Sequence, residues 1–197
     1  MNSPDVTTHD VRTRIIASAD ELYNARGIQA VGMDELRTAA EVSLKKLYQE
    51  FPSKSSIVMA VLERRHQSWT EGLAAKVRTV DSPRARLVTV FDFLAQWFGE
   101  NSFRGCGFIN SFAELGAVSP EVAEYARRHK ESFQDYVREL TEDAGAPPSL
   151  APQLSILAEG AQTTAAIAGT PEAAWQARQA AEVLIDAALQ EKARHAA

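Results

Sequence analysis

The sequence predicts an all-α fold, on three observations. Apolar residues recur every three or four positions along most of the chain, the period of one helix face. Runs of alternating β-branched residues and Asn-Gly or Asp-Gly hairpin turns are missing. Glycine and proline gather between the periodic stretches, where they punctuate helices.

Each element follows from its own signals. From about residue 10 to 26, Val11, Ile15, Ala19, Leu22 and Tyr23 share a stripe, and Gly27 offers a stop. "MDELRTAA" reads as a short second helix with Met33, Leu36, Ala39 and Ala40 on one side and Asp34 and Glu35 in its first turn, where the helix dipole favours acids. Ser43 is a suitable N-cap for a third helix running to about Phe51, and Pro52 ends it. Ser53 and Ser56 flank the start of a longer fourth helix carrying Ile57, Val58, Val61, Leu62, Trp69 and Leu73. "TVDSPRA" marks a boundary near residues 79–83, with a proline suited to a helix's first turn. Leu87, Phe91, Leu94 and Phe98 form the next stripe, "GENSFRGCG" interrupts it, and "FINSFAEL" resumes a helix that stops near Gly116. Ser119-Pro120-Glu121 opens another helix, with Val122, Ala126, Phe133, Tyr136, Val137 and Leu140 inward, until "GAPPS" breaks it. Two alanine-rich helices, about 150–168 and 171–195, finish the chain.

Bulk properties narrow the function classes. A net charge of -5 argues against a protein that coats nucleic acid indiscriminately. Through residues 1–72 cations and acids nearly balance, so any positive footprint must come from placement. A single cysteine, Cys106, allows no internal disulfide and fits a reducing cytoplasm. The N-terminal "MNSPDVTTHD" is polar, no stretch approaches the ~20 apolar residues that cross a bilayer, and a cytoplasmic location is expected. His9, His66, His129 and His195 are scattered, and Glu63–His66 has no second Glu-x-x-His partner. With no phosphate-binding glycine loop and no nucleophile elbow, neither catalysis, nor a metal, nor a cofactor is expected.

The stretch "VSLKKLYQEFPSK", Val42 to Lys54, carries the functional reading. Stepped at about 100° per residue, it puts Leu44, Leu47, Tyr48 and Phe51 in one arc and Lys45, Lys46, Gln49 and Glu50 in the opposite one. A short helix of this kind, held through a tight turn by the helix before it, is the helix-turn-helix arrangement, whose second helix enters the major groove. Lysine reaches phosphate or guanine acceptors and glutamine pairs with the adenine edge. The competing reading is an amphipathic helix with a solvated charged face.

The chain resembles the TetR family of transcriptional regulators, through Ala40, Val42, Ser43, Leu47, Tyr48 and Phe51 followed by the Ser53-Lys54 pair that opens a long helix. The motif match spans about residues 10–65, and the helical remainder matches in architecture only. The resemblance implies an N-terminal three-helix DNA-binding domain (residues 1–55) and a C-terminal helical effector-binding and dimerisation domain (residues 56–197). It also implies a homodimer on a palindromic double-stranded operator, a repressor released by a small, largely apolar effector that shifts the long fourth helix. The implied DNA contacts are Gly32, Met33, Ser43, Leu44, Lys45, Lys46, Tyr48, Gln49 and Lys54. Glu41 replaces the family's usual turn glycine, Arg37 a small residue of the second helix, Gly32 the threonine that opens it, and Lys45 and Lys46 a glycine and a threonine. Lysines there strengthen phosphate attraction and its salt dependence.

Aromatic residues concentrate between 91 and 136, and the implied effector set is Phe91, Leu94, Trp97, Phe98, Cys106, Ile109, Asn110, Phe112, Phe133 and Tyr136. Core packing is the competing reading for each, and Cys106 is read as a passive thiol against the alternative of an oxidation sensor. Ala158, Ala161, Ala165, Ala168, Ala181, Leu184 and Ala188 give the last two helices small faces suited to a four-helix dimer interface or to packing within one subunit. The alternative for the whole chain is a helical protein-interaction module, or a nucleic-acid-binding module without operator specificity.

Overall fold

The structure, a computed structural model, describes residues 5–195, with side chains from Asp10 to Glu191 and at Arg194. The side chains of His9 and His195 and the stretch ahead of Asp5 lie outside the described residues. Every described element is a helix, in the order α1 (Asp5–Arg26), α2 (Met33–Ala39), α3 (Leu44–Glu50), α4 (Lys54–Val77), α5 (Pro83–Phe98), α6 (Gly107–Leu115), α7 (Pro120–Asp143), α8 (Leu150–Ala168) and α9 (Glu172–His195). None is long and apolar enough to cross a membrane among the described residues.

The boundaries have local causes. Ser82 caps α5 by accepting the Ala85 N–H, with Pro83 in the first turn, where its missing N–H costs nothing. Gly145 (φ 66) ends α7, its N–H donating to the Glu142 carbonyl at 2.8 Å while Ala146 donates to Thr141 at 3.1 Å. Gly169 (φ 69) ends α8 in the same left-handed way. α1 begins at Asp5, five residues before the apolar stripe shows itself, because polar residues extend a helix without marking its phase.

The chain forms two compact units, residues 1–67 with 107–126 and residues 68–106 with 127–197. The first holds α1 to α3, the first half of α4, α6 and the start of α7 around Ile15, Ala19, Leu36, Leu47, Phe51, Ile57, Leu62 and Phe108. The second is built on α5, which contributes Leu87, Val88, Val90, Phe91, Leu94, Ala95 and Phe98 to a core completed by α7, α8 and α9. Ala158, Ala161, Ala165 and Ala181 are buried within that core, so the small residues bring α8 and α9 of one subunit together. The large apolar side chains left outward on these helices, among the described residues, are Ile156, Ile167, Trp175 and Val183.

Candidate nucleic-acid interface

The turn between α2 and α3 is set by three residues. Ala40 closes α2, Glu41 stands at φ 53, and the Val42 N–H donates back to the Arg37 carbonyl at 2.9 Å. The left-handed residue expected in this turn is therefore present without glycine, at a cost of roughly 1–2 kcal/mol. Ser43 then caps α3, its Oγ accepting the Lys46 N–H at 3.1 Å.

Burial rotates the working face of α3 relative to the simple two-arc reading. Leu47 is fully buried and Phe51 nearly so, whereas Leu44 and Tyr48 are 41% and 47% exposed. A helix of seven residues buries only a narrow stripe, and Leu44 and Tyr48, one turn apart, lie about 60–100° from Leu47. The outward face is therefore Leu44, Lys45, Tyr48 and Gln49. Lys46 sits on the flank, half-buried, and pairs with Glu50 at 2.6 Å, the Glu50 side chain being only 10% exposed. Arg12 fixes this flank from α1, donating to the Glu50 carbonyl at 3.0 Å with its guanidinium 4.1 Å from the Phe51 ring centre.

Gly32 is the exposed N-cap of α2 and offers no side-chain cap, and Met33 beside it is half-buried. Lys54 opens α4 half-buried, its ammonium pKa lowered by burial and partly restored by Glu114. The Ser53 and Ser56 side chains cap one another's N–H groups at 3.2 and 3.3 Å and so fix the start of α4. Glu114 of α6 also grips the loop between α1 and α2. Its carboxylate accepts the Ile28 and Gln29 N–H groups at 3.0 and 2.9 Å, and the Gln29 amide donates to the Glu114 carbonyl at 2.7 Å. Gly27 (φ 82) makes room, since a Cβ there would stand 3.0 Å from the Glu114 Oε1.

The ten residues named as an effector set fall in both compact units. Ile109, Asn110 and Phe112 lie on α6 in the first unit, the other seven in the second. Phe91, Leu94, Phe98 and Phe133 are core residues, with Trp97 and Tyr136 packed against them. Cys106 is buried, and Lys130 donates to its Sγ at 3.3 Å while pairing with Glu159 at 2.6 Å. The organising ring is Trp69, which meets Phe93, Trp97, His129 and Phe133 edge-on at 5.7, 6.4, 5.4 and 5.4 Å. Its indole N–H is buried with no acceptor. Trp69 and His129 join this aromatic cluster from outside the named effector set, Trp69 from the α4 stripe and His129 four residues ahead of Phe133 on α7. That spacing was the available signal.

The sequence profile of bacterial regulatory proteins of the tetR family matches residues 15–61, which run from the middle of α1 through the helix-turn-helix into α4. Over 139 residues, 68% of this chain, it is 32% identical to the HTH-type transcriptional activator FasR of Mycolicibacterium smegmatis. The chain belongs to the TetR family. This TetR-family chain is also 27% identical over 118 residues, 59% of its length, to the HTH-type transcriptional repressor NemR of Escherichia coli. It spans 60% of the length of FasR and 59% of that of NemR. Among solved structures, SCO4454, a TetR-family transcriptional regulator from Streptomyces coelicolor, superposes with a TM-score of 0.84 at 23% identity, covering 92% of this chain and 97% of that one, a likeness of fold. Regulators of this family are transcription factors rather than enzymes.

Proposed function

We propose that the protein is a ligand-responsive transcriptional regulator that binds a palindromic operator as a homodimer and represses where that operator overlaps a promoter. The observation that carries the reading is the outward face of α3, where Leu44, Lys45, Tyr48 and Gln49 stand exposed on a helix fixed behind by Leu47, Phe51 and the Arg12–Glu50 contact. Lys45 and Gln49 supply base-edge chemistry, Leu44 an apolar contact for a thymine methyl, and Tyr48 a phenol within reach of phosphate. Ser43, Lys46, Lys54, Gly32 and Met33 border this face as backbone contacts. The boundary between the reading head and the effector and dimerisation half is placed at residue 55. FasR and NemR are named an activator and a repressor, and one reading head serves either, because operator position relative to the promoter sets the sign.

The effector half of the reading rests on Trp69. Four aromatic rings surround it, and a buried indole N–H without an acceptor is a donor awaiting a partner. We assign the effector site to this ring cluster, with Trp97 and Phe133 from the sequence-derived set, and the effector to a flat apolar molecule carrying one acceptor. Trp69 and Lys54 belong to one helix, so a ligand that displaces α4 changes the population of DNA-competent dimers. Selection of binding sites from random duplexes with the purified protein tests the core of the reading. An inverted repeat is expected, and absence of any enriched sequence would return the head to a non-specific or protein-binding role.

A further inference from the structure

The loop of residues 27–32 carries the chain from the end of α1 to Gly32 and Met33, which border the proposed DNA face at the start of α2. α2 has only seven residues, and its N-cap, Gly32, has no side chain with which to fix the first turn. A helix that short is not stable by itself, so its beginning stands where the loop puts it. Whatever holds the loop therefore aims that end of the head.

Ile28 and Val31 anchor the loop by burial, and the Arg26 guanidinium reaches across it to the Glu35 carboxylate. That ion pair is largely exposed, where such pairs are weak. The stronger grip comes from outside the helix-turn-helix, from Glu114, the penultimate residue of α6. Its two carboxylate oxygens take the Ile28 and Gln29 N–H groups, one each, at 3.0 and 2.9 Å. Its carbonyl takes the Gln29 side-chain amide at 2.7 Å, so one residue makes three bonds to two consecutive ones. The two to the carboxylate are charge-assisted, the stronger kind. Gly27, at φ 82, leaves the carboxylate its place, since a Cβ there would stand 3.0 Å from Oε1.

We propose that Glu114 is a positioning residue for DNA binding: by clasping the Ile28 and Gln29 amides it fixes the loop and, through it, the start of α2 against the operator. The proposal rests on the reading of α2 and α3 as the DNA-facing elements. A shift of α6 by about 1 Å away from the loop would carry both bonds past hydrogen-bonding distance, so the head's affinity depends on where α6 stands.

Charge and geometry at Glu114 act in opposite directions. Burial lowers the pKa of the Lys54 ammonium at the start of α4, and the Glu114 carboxylate lies near enough to offset that in part. A negative charge beside a lysine that meets phosphate weakens DNA binding, whereas the clasp strengthens it. Glu114→Gln removes the charge and keeps one acceptor. Glu114→Ala removes the charge and both acceptors, so the difference between the two variants isolates the clasp.

The full-length protein and both variants are titrated against the duplex recovered by site selection, at a temperature where circular dichroism shows each of them folded. Glu114→Ala should bind about tenfold more weakly than Glu114→Gln. The slope of log affinity against log salt should be the same for both, because neither loses a cation. A purely structural role would lower the melting temperature of Glu114→Ala without moving the affinity of the folded protein. The same coupling must run backwards in the unaltered chain, where saturating operator should raise the hydrogen-exchange protection of the Ile28 and Gln29 amides by a similar factor. That measurement decides the matter even if a variant fails to fold. Equal affinities of the two variants, or protection unchanged by the operator, would overturn the proposal. A selection that enriches no sequence overturns the operator reading and this proposal together, whereas a recovered repeat bound equally by both variants overturns this proposal alone.

Discussion

Lys45 and Lys46 are neighbours in sequence with different employment. Lys46 is tied to Glu50 at 2.6 Å, whereas Lys45 stands exposed on the open face beside Gln49. Lys45→Ala and Gln49→Ala should therefore change which bases are preferred, each by about 1–3 kcal/mol at the affected position. Lys46→Ala should act mainly on general affinity, and Tyr48→Phe should weaken all sequences alike. Repeating the site selection with each variant checks this, and a preference shifted by Lys46→Ala but not by Lys45→Ala would reverse the assignment. Glu41 makes a second residue-scale test. At φ 53 it pays a steric cost that glycine escapes, offset by the freedom glycine gains on unfolding. Glu41→Gly should be neutral or stabilising by up to about 1 kcal/mol, and Glu41→Val should cost at least about 1 kcal/mol, read from urea midpoints. The sequence exposed this strain because a glycine position carried another residue. It hid the rotation of α3, because a seven-residue helix gives too few apolar positions to fix its phase.

At the scale of elements, α6 was legible as a helix but not in its partners. Its residues read as part of an aromatic chamber, and α6 falls in the compact unit that also holds α1 to α3, where Glu114 accepts two amides from the loop between α1 and α2. Periodicity shows that a helix exists and which side is apolar, but the partner of a lone carboxylate on its polar side is set 85 residues away. Glu114→Ala should cost about 1.5–3 kcal/mol, the range for bonds to a charged acceptor, while Glu114→Gln keeps one acceptor and should lose less. Protection of the Ile28 and Gln29 amides from hydrogen exchange would fall with the same order. Between α5 and α9 the Arg84 guanidinium meets Asp186 in a fork at 2.6 and 2.9 Å, and this hydrogen bond first of all lowers the Asp186 pKa. A carboxylate whose folded pKa is depressed lends stability above its unfolded pKa and loses it as pH falls through the folded value. Both side chains are more than 40% exposed, so the contribution is about 0.5 kcal/mol. Asp186→Asn should remove that much at pH 7 and progressively less as pH falls through the depressed folded pKa.

For the molecule as a whole, the helical count and most boundaries were legible because capping and turn residues act locally: Ser43, Ser82, Pro83 and Gly169 do in the fold what their chemistry suggests. Assembly was less legible. The alanine stripe of α8 and α9 could serve either a partner or the same subunit, and most of it packs within the subunit, with Ala158 and Ala181 fully buried and Ala168 left exposed. What remains outward is larger and less regular. Ile156 and Ile167 on α8 and Trp175 and Val183 on α9 are each more than half exposed, and Gly160, between the two isoleucines, has nothing within 4 Å of where its Cβ would stand. Outward apolar residues on two adjacent packed helices, with an open glycine between, are where the second copy of the proposed homodimer would dock. Ile167→Glu together with Val183→Glu should convert the dimer to a monomer in sedimentation while leaving the monomer's fold intact, since neither side chain is in the core. Ala181→Leu should do the opposite, destabilising the subunit by about 1–3 kcal/mol through overpacking before it affects association. A double glutamate variant that remains dimeric would move the interface off α8 and α9. A monomer that still bound both halves of an inverted repeat with undiminished affinity would show that the two heads do not act as a pair.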